Sequence, residues 1–299
     1  HNVALREDAV RRGLSISEYG VTHVESGKIF TTRSEHELYE HLGYQYIPPE
    51  LRENSGEIAA ARKGELPELI EASDLRGDLH AHSTWSDGKA SIAEMAAAAL
   101  ARGYEFLAIT DHSQRLRGDL LDRQWVEIDL LNADLAPFQL LRGVEVNIRA
   151  NGELDVEDEL LAHFDWVVAS LHSSFDTSPT ERILAAMDNP HVDCIGHATT
   201  RRIGRREPAA VAIEAIVERA VATNTCVEIN SQPDRLDLRD VHARLAGEAG
   251  ASIVVSSDAH RTDTLAYVDI GVAQARRAWL TSSQVLNTRP WPEIAQTRR

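Results

Sequence analysis

Cysteine is scarce in this sequence. Its 299 residues include two cysteines, Cys194 and Cys226, and both lie in apolar segments typical of strands. Two isolated thiols do not provide the framework of a disulfide-rich secreted domain. We therefore expect both to fill the core of a protein kept in a reducing compartment, the cytoplasm.

Long apolar runs are absent. Stretches such as FDWVVASL are far shorter than the roughly 20 residues that span a bilayer, and residues 1–20 are charged throughout, without the apolar centre of a signal peptide. We expect no membrane association. The chain begins with His1 and has two methionines, Met95 and Met187, from which we expect a fragment or a processed form of a longer protein.

Positive charge is the third deficit. The 31 lysines and arginines against 47 aspartates and glutamates give a formal net charge of −16, which argues against broad electrostatic attraction to nucleic acid or anionic membranes. An anionic substrate would need positive charge near its binding site. That charge could come from divalent cations or from the arginine cluster Arg201, Arg202, Arg205 and Arg206. Four arginines in one loop are also typical of a solvated surface, so both interpretations stay open.

Common catalytic and phosphate-binding motifs are missing. No G-x-S-x-G nucleophile turn occurs, and neither cysteine lies at the end of a predicted strand. No phosphate-cradling G-x-x-x-x-G-K-[ST] or G-x-G-x-x-G motif follows a strand. The chemistry must therefore be sought in other side chains.

The pattern along the chain predicts three regions. Residues 1–46 form a small α/β segment, with a helix at each end and a hairpin over residues 20–32 between them. Residues 47–76 are broken by prolines and glycines and are predicted to be a linker: Pro48, Pro49, Gly56, Gly64 and Pro67. Residues 77–299 form the main domain.

The main domain alternates short apolar runs with helix-period segments. The seven predicted strands lie within residues 76–82, 104–112, 138–147, 164–173, 192–198, 225–231 and 252–260. Nearly continuous apolar strands separated by helices are typical of a parallel sheet covered by helices. Over this length a closed, TIM-like (β/α)7 barrel is the economical solution, which makes the protein α/β.

Every predicted strand ends in a polar or metal-binding type of side chain. These residues are His80, His82, Asp111, His112, Glu145, Asn147, His172, His197, Glu228, Asn230, Asp258 and His260. Six of the thirteen histidines lie at these ends, and the carboxyl ends of barrel strands form the functional face. One such histidine would more often be an ordinary hydrogen-bonded group, but six together with Asp87, Glu145 and Asp258 predict a metal centre.

The predicted ligands restrict the metal and the reaction. Neutral imidazoles and carboxylates suit Zn²⁺, Mn²⁺ or Fe²⁺, and nine ligands exceed what one ion can use. Two or three ions about 3.5 Å apart can hold a hydroxide nucleophile and stabilise the attacking and leaving oxygens of a phosphoryl group. The pattern indicates a metal-dependent phosphoesterase.

The strand-end motifs carry a family resemblance. They are DLHAHSTWSDG, AITDHS, GVEVN, SLHSSF, IGHATTRRIGRR, EINSQPDRLDLRD and SSDAH, in that order. The chain thereby resembles the PHP (polymerase and histidinol phosphatase) superfamily, in particular the carboxyl-terminal PHP domain of bacterial family X DNA polymerases. Residues 1–46 resemble the last part of the nucleotidyltransferase region that precedes this domain. The resemblance implies a distorted seven-stranded barrel with a trinuclear metal centre.

The resemblance also implies which residues hold each metal. The three sets are His80, His82, Asp258 and bridging Glu145; Glu145, His172 and His197; and Asp87, His112 and His260. Many relatives have histidine where this chain has Asp87. The aspartate makes the third site richer in oxygen, so we expect Mn²⁺, with Zn²⁺ or Fe²⁺ as alternatives.

The activity implied is hydrolysis of phosphodiester or terminal phosphate bonds at DNA ends, of the 3′–5′ exonuclease type, by in-line attack of a metal-bound hydroxide. Glu145 and Asp258 would act through the metals, and Arg201 or Arg205 would grip the substrate phosphate. One alternative is a small-molecule phosphatase of the histidinol phosphatase type. Another is a non-catalytic, metal-stabilised scaffold of an upstream polymerase module, and polymerase activity itself is not expected of this chain.

Overall fold

The computed structural model describes residues 1–116 and 118–298. Contacts between residues divide the chain into two compact units, residues 1–68 and residues 69–299. None of the helices in the described part of the chain has both the length and the apolar composition needed to cross a membrane.

The first unit is a small α/β domain. Its elements are α1 (Asn2–Arg11), β1 (Leu14–Ser17), β2 (Gly20–His23), β3 (Ile29–Phe30), α2 (Glu35–His41) and α3 (Glu57–Lys63), with a 3₁₀ turn at Pro49–Leu51. The three strands form an antiparallel sheet in the order β1-β2-β3. The predicted hairpin corresponds to β2 and β3, whereas β1 was not predicted, because a four-residue strand is too short to show a clear alternation.

Much of the predicted linker is folded. Helix α3 lies inside it and belongs to the first unit, where fully buried Glu57 accepts hydrogen bonds from the backbone amides of Asn54 (3.1 Å) and Ser55 (2.7 Å). Gly56 and Gly64 adopt left-handed conformations at the two ends of this helix. The glycines that interrupt the sequence pattern therefore mark helix boundaries and not a disordered connection.

The second unit contains the seven predicted strands, all parallel. Its elements are β4 (Gly77–Ala81), α4 (Ile92–Ala101), β5 (Phe106–Ile109), α5 (Asp119–Leu135), β6 (Gln139–Asn147), α6 (Asp158–Leu161), β7 (Trp166–Ser170), α7 (Pro179–Asp188), β8 (Cys194–Ile195), α8 (Ile213–Thr223), β9 (Cys226–Asn230), α9 (Asp240–Ala249), β10 (Ile253–Ser256), α10 (Val268–Arg277) and α11 (Trp291–Thr297). The strands follow one another around the sheet in chain order. The prediction of a seven-stranded α/β barrel is confirmed.

Two buried side chains bridge the gap between the first and last barrel strands: Asn287 and Asp78, whose carboxylate accepts from the Ser257 amide at 3.1 Å. The amide of buried Asn287 donates to the carbonyl oxygens of Gly77 (2.8 Å) and Val255 (2.9 Å) and accepts from the Val255 amide (3.1 Å). Further along, the His82 amide donates to the carbonyl of Ala259 at 2.8 Å. The sheet is thus a nearly closed barrel.

Apolar side chains fill the barrel interior beneath the polar strand ends. This cluster consists of Leu79, Phe106, Ala108, Leu141, Trp166, Val168, Cys194, Cys226, Val254, Leu286 and Ile294. Both cysteines are buried and unbridged. Strict alternation along β4 predicts that Leu79 and Ala81 both point away from the two histidines, but Leu79 lies in this interior cluster. A register shift between Asp78 and Ala81 breaks the alternation.

Candidate metal centre

All nine predicted ligands meet at the carboxyl end of the barrel. His80 belongs to β4 and Glu145 to β6, while the others lie in the segments just after β4, β5, β7, β8 and β10: His82, Asp87, His112, His172, His197, Asp258 and His260. Parallel strands bring their carboxyl ends to one edge, so residues far apart in sequence become neighbours. The structure therefore brings together every side chain predicted as a metal ligand.

Glu145 is the centre of the cluster. Five imidazole nitrogens lie 3.0–3.6 Å from its two carboxylate oxygens; they belong to His80, His82, His112, His172 and His197. The Glu145 side chain is 1% exposed. One carboxylate surrounded by imidazoles on several strands has the geometry of a bridging ligand.

Three groups of side chains are close enough to hold ions. The groups are His82, Asp87, His112 and His260; His80, His82 and Asp258; and His112, Glu145 and His172. The ligand atoms of each group lie within 4.8 Å of one another. Together the groups contain every predicted ligand except His197, in whose place His112 joins Glu145 and His172. His82 also joins Asp87, His112 and His260, and Glu145 is not in the group of His80, His82 and Asp258.

The donor atoms fit a divalent metal. Several buried imidazole nitrogens have no hydrogen-bond partner among the described residues: His80 Nε2, both ring nitrogens of His82, and His197 Nδ1. Leaving such nitrogens unpaired in a protein interior costs free energy. A metal ion is the partner that this combination of neutral imidazoles and carboxylates would accept.

Buried residues behind the ligands hold two of the histidines in place. Glu228 Oε1 lies 2.7 Å from His80 Nδ1, and Asn147 Oδ1 lies 2.6 Å from His172 Nδ1. In both histidines the Nε2 atom is left facing Glu145. Hydrogen bonds of this kind fix the tautomer and the orientation of a ligating imidazole.

Asn147 is itself held by a polar network. Its side-chain amide donates to Asp155 Oδ2 at 2.7 Å, its backbone amide donates to Asp155 Oδ1 at 2.9 Å, and the Ser113 hydroxyl also donates to Asp155. The sequence had placed Glu228 and Asn147 at strand ends, but nothing in it revealed which ligand each residue supports. The only available signal was a polar residue at an inward-facing strand position.

The loop that carries Asp87 is anchored by a neighbouring acid. Buried Asp111 accepts hydrogen bonds from the Ser83 amide (2.8 Å), the Ser83 hydroxyl (2.6 Å) and Gln124 Nε2 (2.8 Å). A Cβ atom at Gly88 would lie 2.7 Å from the Ser83 carbonyl, so the loop closes on itself only with glycine there. Asp111 is therefore a structural residue and not a ligand.

Opposite charges hold the two buried carboxylates among the nine predicted ligands in the ionised form. Although burial opposes ionisation, His172 and His80 keep the pKa of Glu145 well below its usual range. In the same way, His80 and His82 lower the pKa of Asp258. Both acids are thus available as anionic ligands at neutral pH.

The pKa values of two histidines in the cluster are shifted in opposite directions. Burial opposes a charge on His112, but hydrogen bonds with Asp87 and Glu145 raise its pKa to about 10. Burial and the nearby charge of Arg235 lower the pKa of His197 to about 4. In the ion-free protein, the proton on His112 therefore occupies a position that a metal cation would take.

The arginines predicted to grip phosphate lie elsewhere. The Arg201 guanidinium donates to the backbone carbonyls of Arg235 (2.6 Å) and Leu236, and Arg205 is exposed. The cavity above the metal-binding cluster, about 320 Å³, is lined instead by Arg202 and Arg235. A loop can place any of several neighbouring arginines in a cavity, and the sequence alone does not distinguish them.

The fold and the site together define a metal-binding phosphoesterase barrel. The model of the PHP domain family matches residues 78–232, and the model of the DNA polymerase beta thumb matches residues 1–53. The chain belongs to the PHP family, a family of phosphoesterases.

Three known proteins are similar to this chain. The DNA polymerase/3′-5′ exonuclease PolX of Bacillus subtilis (strain 168) is 45% identical over 98% of this chain and 53% of its own length. A probable phosphatase of Thermoanaerobacter sp. (strain X514) is 30% identical over 71% of this chain and 89% of its own. This chain therefore spans about half the length of PolX.

The third similar protein is a solved structure. It is the histidinol phosphate phosphatase of Lactococcus lactis subsp. lactis Il1403, crystallised with zinc, L-histidinol and phosphate. It has a TM-score of 0.52 and 19% identity, and the match covers 67% of this chain and 93% of that one. This likeness supports the fold.

Proposed function

We propose that this protein hydrolyses phosphodiester or terminal phosphate bonds at DNA ends, in the manner of a 3′–5′ exonuclease. The observation that carries the proposal is that one chain combines a segment matching the polymerase beta thumb with nine candidate metal ligands at a barrel end. The similarity to PolX runs through both parts. DNA ends and an upstream polymerase module are accordingly the substrate and the partner that we propose.

The metal ligands that we propose are the nine side chains of the cluster, with Glu145 bridging. Divalent ions held by these residues would supply positive charge for the phosphoryl oxygens and would make a nearby water more acidic. Mn²⁺ is the proposed ion, because Asp87 adds oxygen to the group that it forms with His112 and His260. Zn²⁺ and Fe²⁺ are the alternatives.

Protein side chains have two tasks in this proposal. Glu228 and Asn147 hold ligating imidazoles in orientation. Arg235 lines the cavity and would donate to a substrate phosphate; its Nε atom is buried without a hydrogen-bond partner among the described residues and lies 3.7 Å from Asp258 Oδ2. Arg202 lines the same cavity but also pairs with Asp234 at 2.6 Å.

The test uses single-stranded DNA labelled at its 5′ end, in Mn²⁺. The wild type should shorten the strand from the 3′ end, and His112→Ala should abolish shortening because it removes a shared ligand. His191→Ala is the matched control, since His191 precedes β8 at the opposite end of the barrel. Failure to release nucleotides with Mn²⁺, Zn²⁺ or Fe²⁺ would refute the proposal.

A small-molecule phosphatase is the second candidate. The formal net charge of −16 and the resemblance of the barrel to histidinol phosphate phosphatase favour it. Hydrolysis of histidinol phosphate without cleavage of DNA would establish this candidate. If neither substrate reacts while metal loading still raises the melting temperature, the domain is a metal-stabilised scaffold.

A further inference from the structure

A second cavity, about 480 Å³, opens beside the metal centre. It shares Asp87, His112 and His172 with the cavity above the metal-binding cluster, and its wall also carries Arg115 and Arg149. Because the two cavities share these lining residues, one extended ligand can occupy both. The arginines then face whatever part of the ligand lies beyond the metals.

Both guanidinium groups are available to a ligand. Arg115 and Arg149 are exposed, and neither makes a side-chain hydrogen bond or ion pair with a residue in the described ranges. This is unexpected in a chain with 47 acidic and 31 basic side chains. Of the two carboxylates in this cavity, Asp87 faces His112 and His260, and Asp155 accepts hydrogen bonds from Ser113 and Asn147.

The backbone that carries Arg149 is held firmly. Arg182, which is 2% exposed, donates to the carbonyl oxygens of Arg149 (2.7 Å) and Ser174 (2.7 Å) and also to that of Ile148. It thereby ties the segment after β6 to the segment after β7, which carries His172. On the other side of the cavity, the backbone amide of Arg115 donates to the carbonyl of His112 at 2.9 Å. The cavity wall is therefore preformed.

We propose that this cavity binds a second phosphate of an oligonucleotide strand, next to the phosphate held at the metal centre, through Arg115 and Arg149. The proposal rests on the proposed function. A monophosphate ester has one phosphate, which the metal centre would take, so a separate guanidinium site serves a substrate with at least two. Phosphate contacts of this kind position a strand without reading its sequence.

The experiment compares Arg115→Ala/Arg149→Ala with the wild type on two substrates in Mn²⁺. One is a labelled oligothymidylate, and the other is bis(p-nitrophenyl) phosphate, which reaches only the metal centre. The double variant should lose roughly 10- to 100-fold in kcat/KM on the oligonucleotide and keep its rate on the small diester. The slope of log kcat/KM against log salt should become shallower by about 0.7, as expected for one lost phosphate contact on a single strand.

Arg289→Ala is the control, because Arg289 is exposed and follows the segment that contacts the start of β4 at the other end of the barrel. It removes one positive charge and should leave both rates unchanged. Equal losses on both substrates, or no loss on either, would overturn the proposed site.

A binding measurement separates this inference from the proposed function. Fluorescence anisotropy with a phosphorothioate oligothymidylate reports binding without hydrolysis. If binding depends on Arg115 and Arg149 but the protein does not cleave DNA, the second-phosphate site is supported and the nuclease proposal is refuted. If the protein cleaves DNA and the double variant binds the oligonucleotide as tightly as the wild type, the nuclease proposal is supported and the second-phosphate site is refuted.

Discussion

Glu228 Oε1 lies 2.7 Å from Nδ1 of His80, and both side chains are almost fully buried. The other Glu228 oxygen accepts from the backbone amide of His197 at 2.7 Å. One carboxylate on β9 thus orients a ligand on β4 and the backbone at a second ligand after β8. The strand that provides no predicted ligand supports ligands from two others.

The first prediction concerns this carboxylate. Glu228→Gln keeps the shape but removes the charge that holds His80 in its orientation. We expect the affinity for Mn²⁺ to fall about 10- to 100-fold, as for other residues behind metal ligands, measured by competition with a chelating dye. Glu218→Gln, on the exposed face of α8, makes the same chemical change and should leave affinity unaltered. Equal affinities for both variants would contradict the role of Glu228.

The second prediction concerns protons. Because hydrogen bonds with Asp87 and Glu145 outweigh burial and raise the pKa of His112 to about 10, His112 is protonated at pH 7 in the ion-free protein. A metal must displace that proton, so affinity should rise with pH below 10, by about tenfold per pH unit for each proton released. Titration calorimetry at pH 7 in two buffers of different ionisation enthalpy counts the protons. An observed enthalpy independent of the buffer would exclude the release.

The third prediction concerns a buried acid outside the ligand cluster. Burial, opposed by a hydrogen bond from the Thr199 amide, raises the pKa of Asp237 to about 6 from 3.8. The folded protein therefore binds this proton more tightly than the unfolded chain. The contribution of Asp237 to the free energy of unfolding should fall as pH rises from about 4 to about 6, by on the order of 3 kcal/mol.

Asp237→Asn removes this titration. Between pH 4 and pH 7 the unfolding free energy of the wild type should therefore fall, relative to that of the variant, by on the order of 3 kcal/mol. Chemical denaturation across this range measures the difference, and any constant offset from repacking cancels. Parallel pH profiles would show that Asp237 does not titrate in this way.

The fourth prediction concerns barrel closure. Asn287→Leu removes the side-chain hydrogen bonds to Gly77 and Val255 and leaves their buried backbone groups unpaired. We expect a loss of about 3 kcal/mol in unfolding free energy, measured in urea. Asn151→Leu changes an exposed asparagine in the same manner and should cost little. Similar stability of the two variants would mean that Asn287 contributes little to closure and that other contacts, such as the hydrogen bond from His82 to Ala259, are sufficient to join the ends of the sheet.

The sequence by itself determined the barrel and the convergence of the nine predicted ligands at its carboxyl end. Strand periodicity is local, and the carboxyl ends of parallel strands converge whatever the details of the loops. For this reason the residues from His80 to His260 could be assigned to one site before any distance was known. Prediction from the sequence failed where a regular element is short, as in β1, or irregular, as at the register shift in β4 that directs Leu79 into the barrel.

Only the tertiary structure decided which polar residues support the ligands and which arginines face the cavities. Glu228 and His80 are 148 positions apart, and their contact depends on closure of the whole barrel. Arg201 and Arg202 are adjacent in sequence, yet one guanidinium binds backbone carbonyls and the other lines the cavity. Side-chain directions in irregular loops follow from long-range packing, and no local pattern encodes them.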